Sequence, residues 1–180
     1  KITNGNHMLT MNDLVGSDAV ATWTDPSNPS DIISFSIDKP NKINRLTDVN
    51  KDIFYNVEFG EVEEITYKSV DEKYVQGWIV KPPNFDSNKK YPLVLRIHGG
   101  PHSMYHVGFN YNFQLHAAQD QVVLYTNPRG STGYGYDFAN AIQNAYPGND
   151  YDDIMYGVDE VISRGYIAVS YTHLRAHETR

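Results

Sequence analysis

The fold of this chain is decided by residues 92–101, which read Pro92-Leu93-Val94-Leu95-Arg96-Ile97-His98-Gly99-Gly100-Pro101. The first seven residues form a nearly continuous apolar run, which is typical of a strand buried on both faces of a sheet. The two glycines that follow allow the backbone to turn sharply. Because ligands bind at the carboxyl edge of parallel strands, this turn is the first candidate for a functional site.

The same pattern recurs further along the chain. Residues 121–126 form a second buried strand, and helical periodicity over 109–119 and over 150–164 places a helix between the strands and another after them. In the second helix Ile154 marks the apolar face, and we expect Asp153 to lie outside it. Strands that alternate with helices predict an α/β fold with a mostly parallel sheet covered on both faces.

The composition changes near Gly60. Residues 64–70 and 75–81 flank a short turn and predict an antiparallel pair of strands that opens the α/β region. Before Gly60, residues 19–24 and 32–37 predict two short strands with tight turns, and two such strands cannot bury their own faces. We interpret this part as the last strands of a β-propeller, the alternative being a small hairpin appended to the following domain.

The bulk composition excludes several classes of function. The net charge is −7 and the 15 Lys and Arg residues are scattered, so we expect no nucleic-acid binding. No apolar run approaches the ~18 residues of a membrane span. Without cysteine there is no thiolate metal site, and the pair His102 and His106 lacks the adjoining Glu of a zinc helix. We therefore expect no metal, cofactor or membrane partner, whereas oligomeric state and compartment (cytoplasmic or periplasmic) stay open.

Two glycine-containing loops could carry chemistry. The loop His98-Gly99-Gly100-Pro101 either offers backbone N–H groups to an oxyanion or is a simple turn. The second loop reads Asn127-Pro128-Arg129-Gly130-Ser131-Thr132-Gly133-Tyr134-Gly135. Its glycine spacing, without a following Gly-Lys-Ser or Gly-Lys-Thr, argues against a phosphate cradle. Arg129 is either the structural partner of a carboxylate or a contact for a substrate carbonyl or carboxylate.

Together, these two motifs make the chain resemble the prolyl oligopeptidase family of serine peptidases, in its acylaminoacyl-peptidase and dipeptidyl-peptidase-like branch. The resemblance covers roughly residues 1–167 and is strongest from Leu93 onward. It implies a propeller followed by an α/β-hydrolase domain, which cleaves short peptides with a Ser nucleophile, a His base and an orienting Asp. It also implies that the Gly100 N–H donates to the oxyanion and that Arg129 borders the substrate cleft and binds substrate.

The nucleophile that this resemblance requires is missing. None of the serines has Gly at both −2 and +2, as G-x-S-x-G demands, and Ser131 comes nearest with Arg129 in the first position. His98 cannot be the base, because in the family that His follows the nucleophile and the Asp along the chain. We therefore expect that no member of the catalytic triad is present and that this chain is inactive.

The C-terminal segment departs from the family pattern. A strand and the nucleophile turn should follow Ile167 within about fifteen residues, yet residues 169–180 resemble the translation of a transposon-type sequencing adaptor in one reading frame. We expect this segment to be a non-native tail. Loss of the nucleophile strand would leave strand 92–98 as an open edge of the sheet.

These observations predict three regions: the end of a β-propeller over 1–58, a truncated α/β-hydrolase domain over 59–168, and the adaptor-like tail over 169–180. The predicted function is that of a fragment of a serine peptidase that acts on short peptides by acyl transfer. Two alternatives stay open, an esterase or lipase of the same fold and a non-catalytic binding module built on the propeller.

Overall fold

The computed structural model describes the backbone of residues 2–176 and the side chains of residues 2–170. The chain forms two compact units. The N-terminal unit extends to Glu58 and also includes His106–Tyr111, and the C-terminal unit contains Phe59–Tyr105 and the chain from Asn112 onward. The short segment 106–111 thus leaves the C-terminal unit directly after the loop that carries Gly100.

The N-terminal unit is an antiparallel meander of four strands in the order β1-β2-β3-β4. Their bounds are β1 (Met8–Val15), β2 (Asp18–Asp25), β3 (Asn28–Ser36) and β4 (Lys39–Arg45). A short helix, α1 (Lys51–Phe54), follows. Strands β2 and β3 confirm the two predicted strands, 19–24 and 32–37, but β1 and β4 were not predicted, because they are largely exposed and carry polar residues that hide the alternation used to find strands.

One buried carboxylate organises the end of this sheet. The Asp31 side chain on β3 accepts hydrogen bonds from the Arg45 guanidinium, from Thr47 Oγ1 at 2.6 Å and from the Val49 N–H at 3.1 Å. Burial favours the protonated acid, but these hydrogen bonds and the charge of Arg45 outweigh it and lower the pKa of Asp31. The carboxylate therefore ties the chain after β4 back onto β3.

The C-terminal unit is built on a five-stranded sheet in the order β5-β6-β8-β7-β9. Its strands are β5 (Val62–Lys68), β6 (Tyr74–Val80), β7 (Tyr91–Ile97), β8 (Val122–Asn127) and β9 (Ile167–Ala176). Its helices are α2 (Tyr111–Ala117), α3 (Tyr136–Asn140) and α4 (Asn149–Ser163). The pairs β7–β8 and β7–β9 are parallel, whereas β5–β6 and β6–β8 are antiparallel. The sheet is therefore mixed. The prediction of a mostly parallel sheet is wrong, because two of the four strand pairs are antiparallel.

Strand β9 changes the prediction for the edge of the sheet. It pairs in parallel with β7, from Tyr91 opposite Ile167 to Ile97 opposite Ala176. The expectation of an open edge at β7 is wrong, because β9 occupies the place expected for the nucleophile strand. The strand crosses the predicted boundary at residue 168, and residues 177–180 of the predicted tail lie outside the described residues.

The core of the C-terminal unit lies where the sequence placed it. Strands β7 and β8 are buried over most of their length, and α4 packs Ile154, Val158 and Val161 against the sheet. Helix α2 is shorter than the predicted 109–119, and Phe109 lies before it in the segment that belongs to the N-terminal unit. Within the described part of the chain, no helix is long and apolar enough to cross a membrane.

Candidate functional site

The two predicted loops lie at the same edge of the sheet. Strands β7 and β8 are parallel neighbours, so the loops that follow them leave from adjacent positions. The Thr132 N–H donates to the Ser103 carbonyl at 2.9 Å, and His102 Nδ1 lies 3.1 Å from the Gly130 carbonyl oxygen. The prediction that the two motifs share one edge is confirmed by these contacts.

The backbone at Gly100 has the form that an N–H donor loop needs. Its φ of +135° is a conformation that L side chains rarely adopt, and a Cβ there would lie 3.1 Å from the Ser103 Cβ. Gly100 is exposed, and within the described residues its N–H has no hydrogen-bond acceptor. This N–H is therefore free to bind an acceptor from outside the chain, which agrees with, but does not test, its predicted oxyanion role.

His98 and Ser131 contact each other, but in an arrangement unsuited to nucleophilic catalysis. Ser131 Oγ lies 2.6 Å from the Pro128 carbonyl oxygen, which requires that the hydroxyl donate its proton there. His98 Nε2, 2.9 Å from the same Oγ, then acts as the donor and not as the base. Ser131 is fully buried, and burial lowers the pKa of His98. The pair is thus a structural contact that joins the two loops.

Asn127, at the end of β8, makes the most extensive contacts between the loops. Its Oδ1 accepts from the Tyr105 N–H at 2.7 Å, and its Nδ2 donates to the Tyr105 carbonyl at 3.0 Å. The same Nδ2 lies 2.7 Å from the Tyr134 hydroxyl oxygen, which in turn donates to Gln76. Asn127 itself is fully buried. The side chain therefore fixes the far end of the Gly100 loop.

The Tyr105 ring completes this attachment. It packs edge-on against the rings of His98, Phe113 and Tyr125, with centroid distances of 5.2 to 5.7 Å. Burial raises the pKa of Tyr105 to about 12, so its hydroxyl stays neutral at physiological pH. The aromatic contacts and the Asn127 amide together hold Tyr105 against the sheet.

The Arg129 side chain points into the protein. Its Nε and one terminal nitrogen bind the Asp153 carboxylate at 2.9 and 2.8 Å, and its other terminal nitrogen lies 3.0 Å from Asp71. Only 6% of the side chain is exposed. Of the two alternatives, these contacts support the structural partner of a carboxylate. Substrate binding by Arg129 stays a prediction that the contacts do not favour.

Asp153 is a buried residue that the sequence analysis misplaced. It is fully buried on α4 and also accepts from Ser69 Oγ at 2.6 Å and from the Arg129 N–H at 2.9 Å. The expectation that Asp153 lies outside the apolar face is wrong. Asp153 lies three residues after the buried Asp150 and four residues before the buried Gly157, and this helical spacing places all three on the buried face.

The carboxylate can approach the sheet because of a glycine on the same helix. A Cβ at Gly157 would lie 2.6 Å from the Tyr67 hydroxyl, which donates to the Asp153 carbonyl at 2.7 Å. Burial, as the largest effect, raises the pKa of Tyr67, so this donor keeps its proton. No group of three His, Asp or Glu side chains that could hold a metal ion occurs among the described residues.

Comparison with known proteins identifies relatives of large parts of the chain. Residues 107–172 match the prolyl oligopeptidase family. An uncharacterized peptidase, YuxL, of Bacillus subtilis is 41% identical over 145 residues, which are 81% of this chain and 22% of that protein. Dipeptidyl-peptidase 5 of Aspergillus fumigatus is 39% identical over 104 residues, which are 53% of this chain and 14% of that protein.

A solved structure extends the similarity to both units. The acylaminoacyl peptidase of Pyrococcus horikoshii matches with a TM-score of 0.86 and 26% identity, over 98% of this chain and 28% of that one. The chain therefore spans between about a seventh and about a quarter of the length of these relatives. The similarity in sequence and structure agrees with the two motifs at the sheet edge, and the chain belongs to the prolyl oligopeptidase family of peptidases.

Proposed function

We propose that this chain is part of a serine peptidase that hydrolyses short peptides by acyl transfer, and that the Gly100 N–H supplies one oxyanion-hole donor. The observation that carries the proposal is the free N–H of Gly100 at the edge where the two loops meet. A donor held by a rigid loop stabilises the negative charge that develops on the carbonyl oxygen during attack. Removal of one such donor typically costs 10²- to 10³-fold in kcat.

The family assignment supplies the rest of the reaction. A serine Oγ attacks the peptide carbonyl and gives its proton to a histidine, and the histidine then protonates the leaving amine. Relatives named dipeptidyl-peptidase 5, and an acylaminoacyl peptidase solved with a peptide chloromethyl ketone, support a peptide substrate. We place the substrate carbonyl beside Gly100, outside the carboxyl ends of β7 and β8.

The 180-residue chain by itself is proposed to be inactive. It contains no G-x-S-x-G, and Ser131, its nearest match, is buried with its proton directed to Pro128. His98 donates to that serine instead of accepting its proton. What remains is one oxyanion donor without a nucleophile, which cannot form an acyl intermediate.

Two assays test these proposals. The purified chain, incubated with chromogenic aminoacyl and dipeptidyl amides, should give no turnover above buffer. Turnover that persists through further purification and disappears in Ser131→Ala would contradict the proposed inactivity. In a full-length protein that carries this chain together with a G-x-S-x-G segment, a chromogenic ester tested alongside the amides separates a peptidase from an esterase of the same fold, because an esterase would cleave the ester alone.

The donor role is tested in a full-length protein that carries this chain together with a G-x-S-x-G segment. We expect Gly100→Ala to lower kcat on a peptide amide by about 10²-fold, since the added Cβ forces the N–H to move. Gly135→Ala is the matched control, because Gly135 also has a positive φ, +94°, but no atom lies within 4 Å of its Cβ position. Equal losses in the two variants would mean that backbone strain, not a donor, explains the effect.

A further inference from the structure

We propose that Asn127 is the positioning residue of the Gly100 loop: its side-chain amide fixes Tyr105 and thereby holds the Gly100 N–H where an acceptor can reach it. Asn127 is the first residue of the motif Asn127–Gly135, and the family resemblance assigned no role to it. This positioning role rests on the proposed oxyanion role of Gly100, which Asn127 serves without touching the substrate.

Four contacts attach the Gly100 loop (residues 98–105) to the Asn127 loop (residues 127–135). They lie at the beginning of the Gly100 loop (His98 to Ser131), in its middle (His102 to Gly130 and Ser103 to Thr132) and at its end (Tyr105 to Asn127). Gly100 lies between the first and second attachments and makes no hydrogen bond of its own within the described residues. Its position is therefore set by the attachments on either side.

Asn127 contributes more to this set than the other members. Its amide binds both the N–H and the carbonyl of Tyr105, as a paired strand would, and so fixes the two peptide units on either side of the Tyr105 Cα. The remaining amide hydrogen is directed to Tyr134. The Asn127 side chain is fully buried, so removing the amide breaks both hydrogen bonds to Tyr105 at a place closed to solvent on the Asn127 side.

The other three contacts are easier to replace. His98 makes a single hydrogen bond to the second loop, to a serine hydroxyl that already donates to Pro128. His102 and Ser103 also make one hydrogen bond each to that loop, from a stretch that is exposed or half-buried, where water can compete. We expect a loop that has one firmly bound end, here Tyr105, and several weaker contacts to keep a single conformation only while that end stays bound. We therefore assign the control of the Gly100 position to Asn127.

Amide hydrogen exchange on the full 180-residue chain tests the attachment without any need for activity. In Asn127→Ala we expect the Tyr105 amide to exchange about tenfold faster, and the Thr132 amide, which bonds Ser103, to exchange faster as well. Asn140→Ala is the matched control, since that amide bonds only the exposed Gln143. An unchanged rate at Thr132 in Asn127→Ala would overturn the proposal, because the loop would then not depend on its end.

Asn127→Asp tests the two Nδ2 donations separately, and protection of the β8 amides in the same experiment shows whether each variant is folded. The buried carboxylate keeps the acceptor for the Tyr105 N–H, but it loses both donations from Nδ2 and faces the Tyr105 carbonyl oxygen. We expect the Tyr105 amide to stay protected while exchange at Thr132 accelerates. Wild-type rates at both positions would show that the Nδ2 contacts do not hold the loop, and would overturn the proposal.

Kinetics in the full-length protein connect the attachment with catalysis. With kcat expressed per active site titrated by a peptide chloromethyl ketone, Asn127→Ala should lower kcat on a peptide amide by ten- to a hundredfold and leave KM within twofold. A merely structural role would reduce the number of titratable sites and leave kcat per site unchanged. If the wild-type protein cleaves no peptide, the proposed function fails, while the exchange rates still decide the role of Asn127.

Discussion

Two buried aspartates, one in each unit, use the same set of donors for different purposes. Asp31 and Asp153 each accept from an arginine fork, a side-chain hydroxyl and a backbone N–H. Both carboxylates are fully buried, but 40% of the Arg45 side chain is exposed, compared with 6% of Arg129. The same chemistry therefore operates at the edge of one unit and in the interior of the other.

The two carboxylates differ in how far along the chain their hydrogen-bond partners lie. The partners of Asp31 lie 14 to 18 residues away, so the site fixes one strand end locally. The partners of Asp153 lie 24 and 84 residues away and join α4 to the loop after β8 and to the end of β5. Hydrogen bonds between residues that are close in sequence stabilise a turn. Hydrogen bonds between residues that are far apart in sequence decide how the elements of the unit are assembled.

The largest expected effect is at Asp153. Asp153→Ala leaves the Arg129 charge buried with only the exposed Asp71 as partner, so the C-terminal unit should lose about 3–5 kcal/mol of unfolding free energy. Urea unfolding followed by Trp78 fluorescence in a Trp23→Phe background measures it, because the two tryptophans lie in different units. The neighbouring Asp152→Ala is the control, and equal losses would contradict the central role of Asp153.

The equivalent change in the N-terminal unit should cost less. Asp31→Ala should lower the unfolding free energy of that unit by about 1–3 kcal/mol, since Arg45 can turn to water once its partner is gone. Trp23 fluorescence in a Trp78→Phe background gives the value. A loss as large as that of Asp153→Ala would mean that the exposure of the arginine does not decide the cost.

The two units should also respond differently to pH. The pKa of His98 lies below its usual 6.5, so on acidification the unfolded chain takes up this proton before the folded one. The unfolding free energy of the C-terminal unit should therefore fall between pH 7 and pH 5, by at most about 1.4 kcal/mol per pH unit. The pKa of Asp31 is lowered from 3.8, so its contribution disappears only as the pH falls below that value.

A substitution of His98 isolates this effect. His98→Gln keeps a donor for Ser131 but cannot titrate, so unfolding measured through Trp78 should lose its pH dependence in this range. If the slope between pH 7 and pH 5 is the same in wild type and variant, other groups cause it.

The smallest expected effect is a gain of stability in the turn between β5 and β6. Asp71 and Glu72 both have φ near +57°, and Lys73 N–H donates to the Val70 carbonyl, the geometry of a two-residue hairpin turn that favours glycine in its second position. Glu72→Gly should stabilise the C-terminal unit by about 0.5–1 kcal/mol, as measured through Trp78. Glu72→Ala, which retains the Cβ, should bring no such gain.

Several features could be predicted from local sequence because their cause is local. Apolar runs identified β7 and β8, helical periodicity identified α4, and the position of each loop after a parallel strand placed both motifs at one edge. The polar strands β1 and β4 escaped detection, because exposed strands need not alternate apolar and polar residues. Periodicity reports burial, so it misses elements that are not buried.

The sequence by itself determined the family, the α/β core and the loop that carries Gly100. Only the tertiary structure decided which polar groups are buried and what each one binds: Arg129 with Asp153, Ser131 with Pro128, and Asn127 with Tyr105. It also decided that β9 covers the edge of β7. The physical reason is that desolvation must be offset by a particular partner, and for Arg129 and Asn127 that partner lies 24 and 22 residues away along the chain.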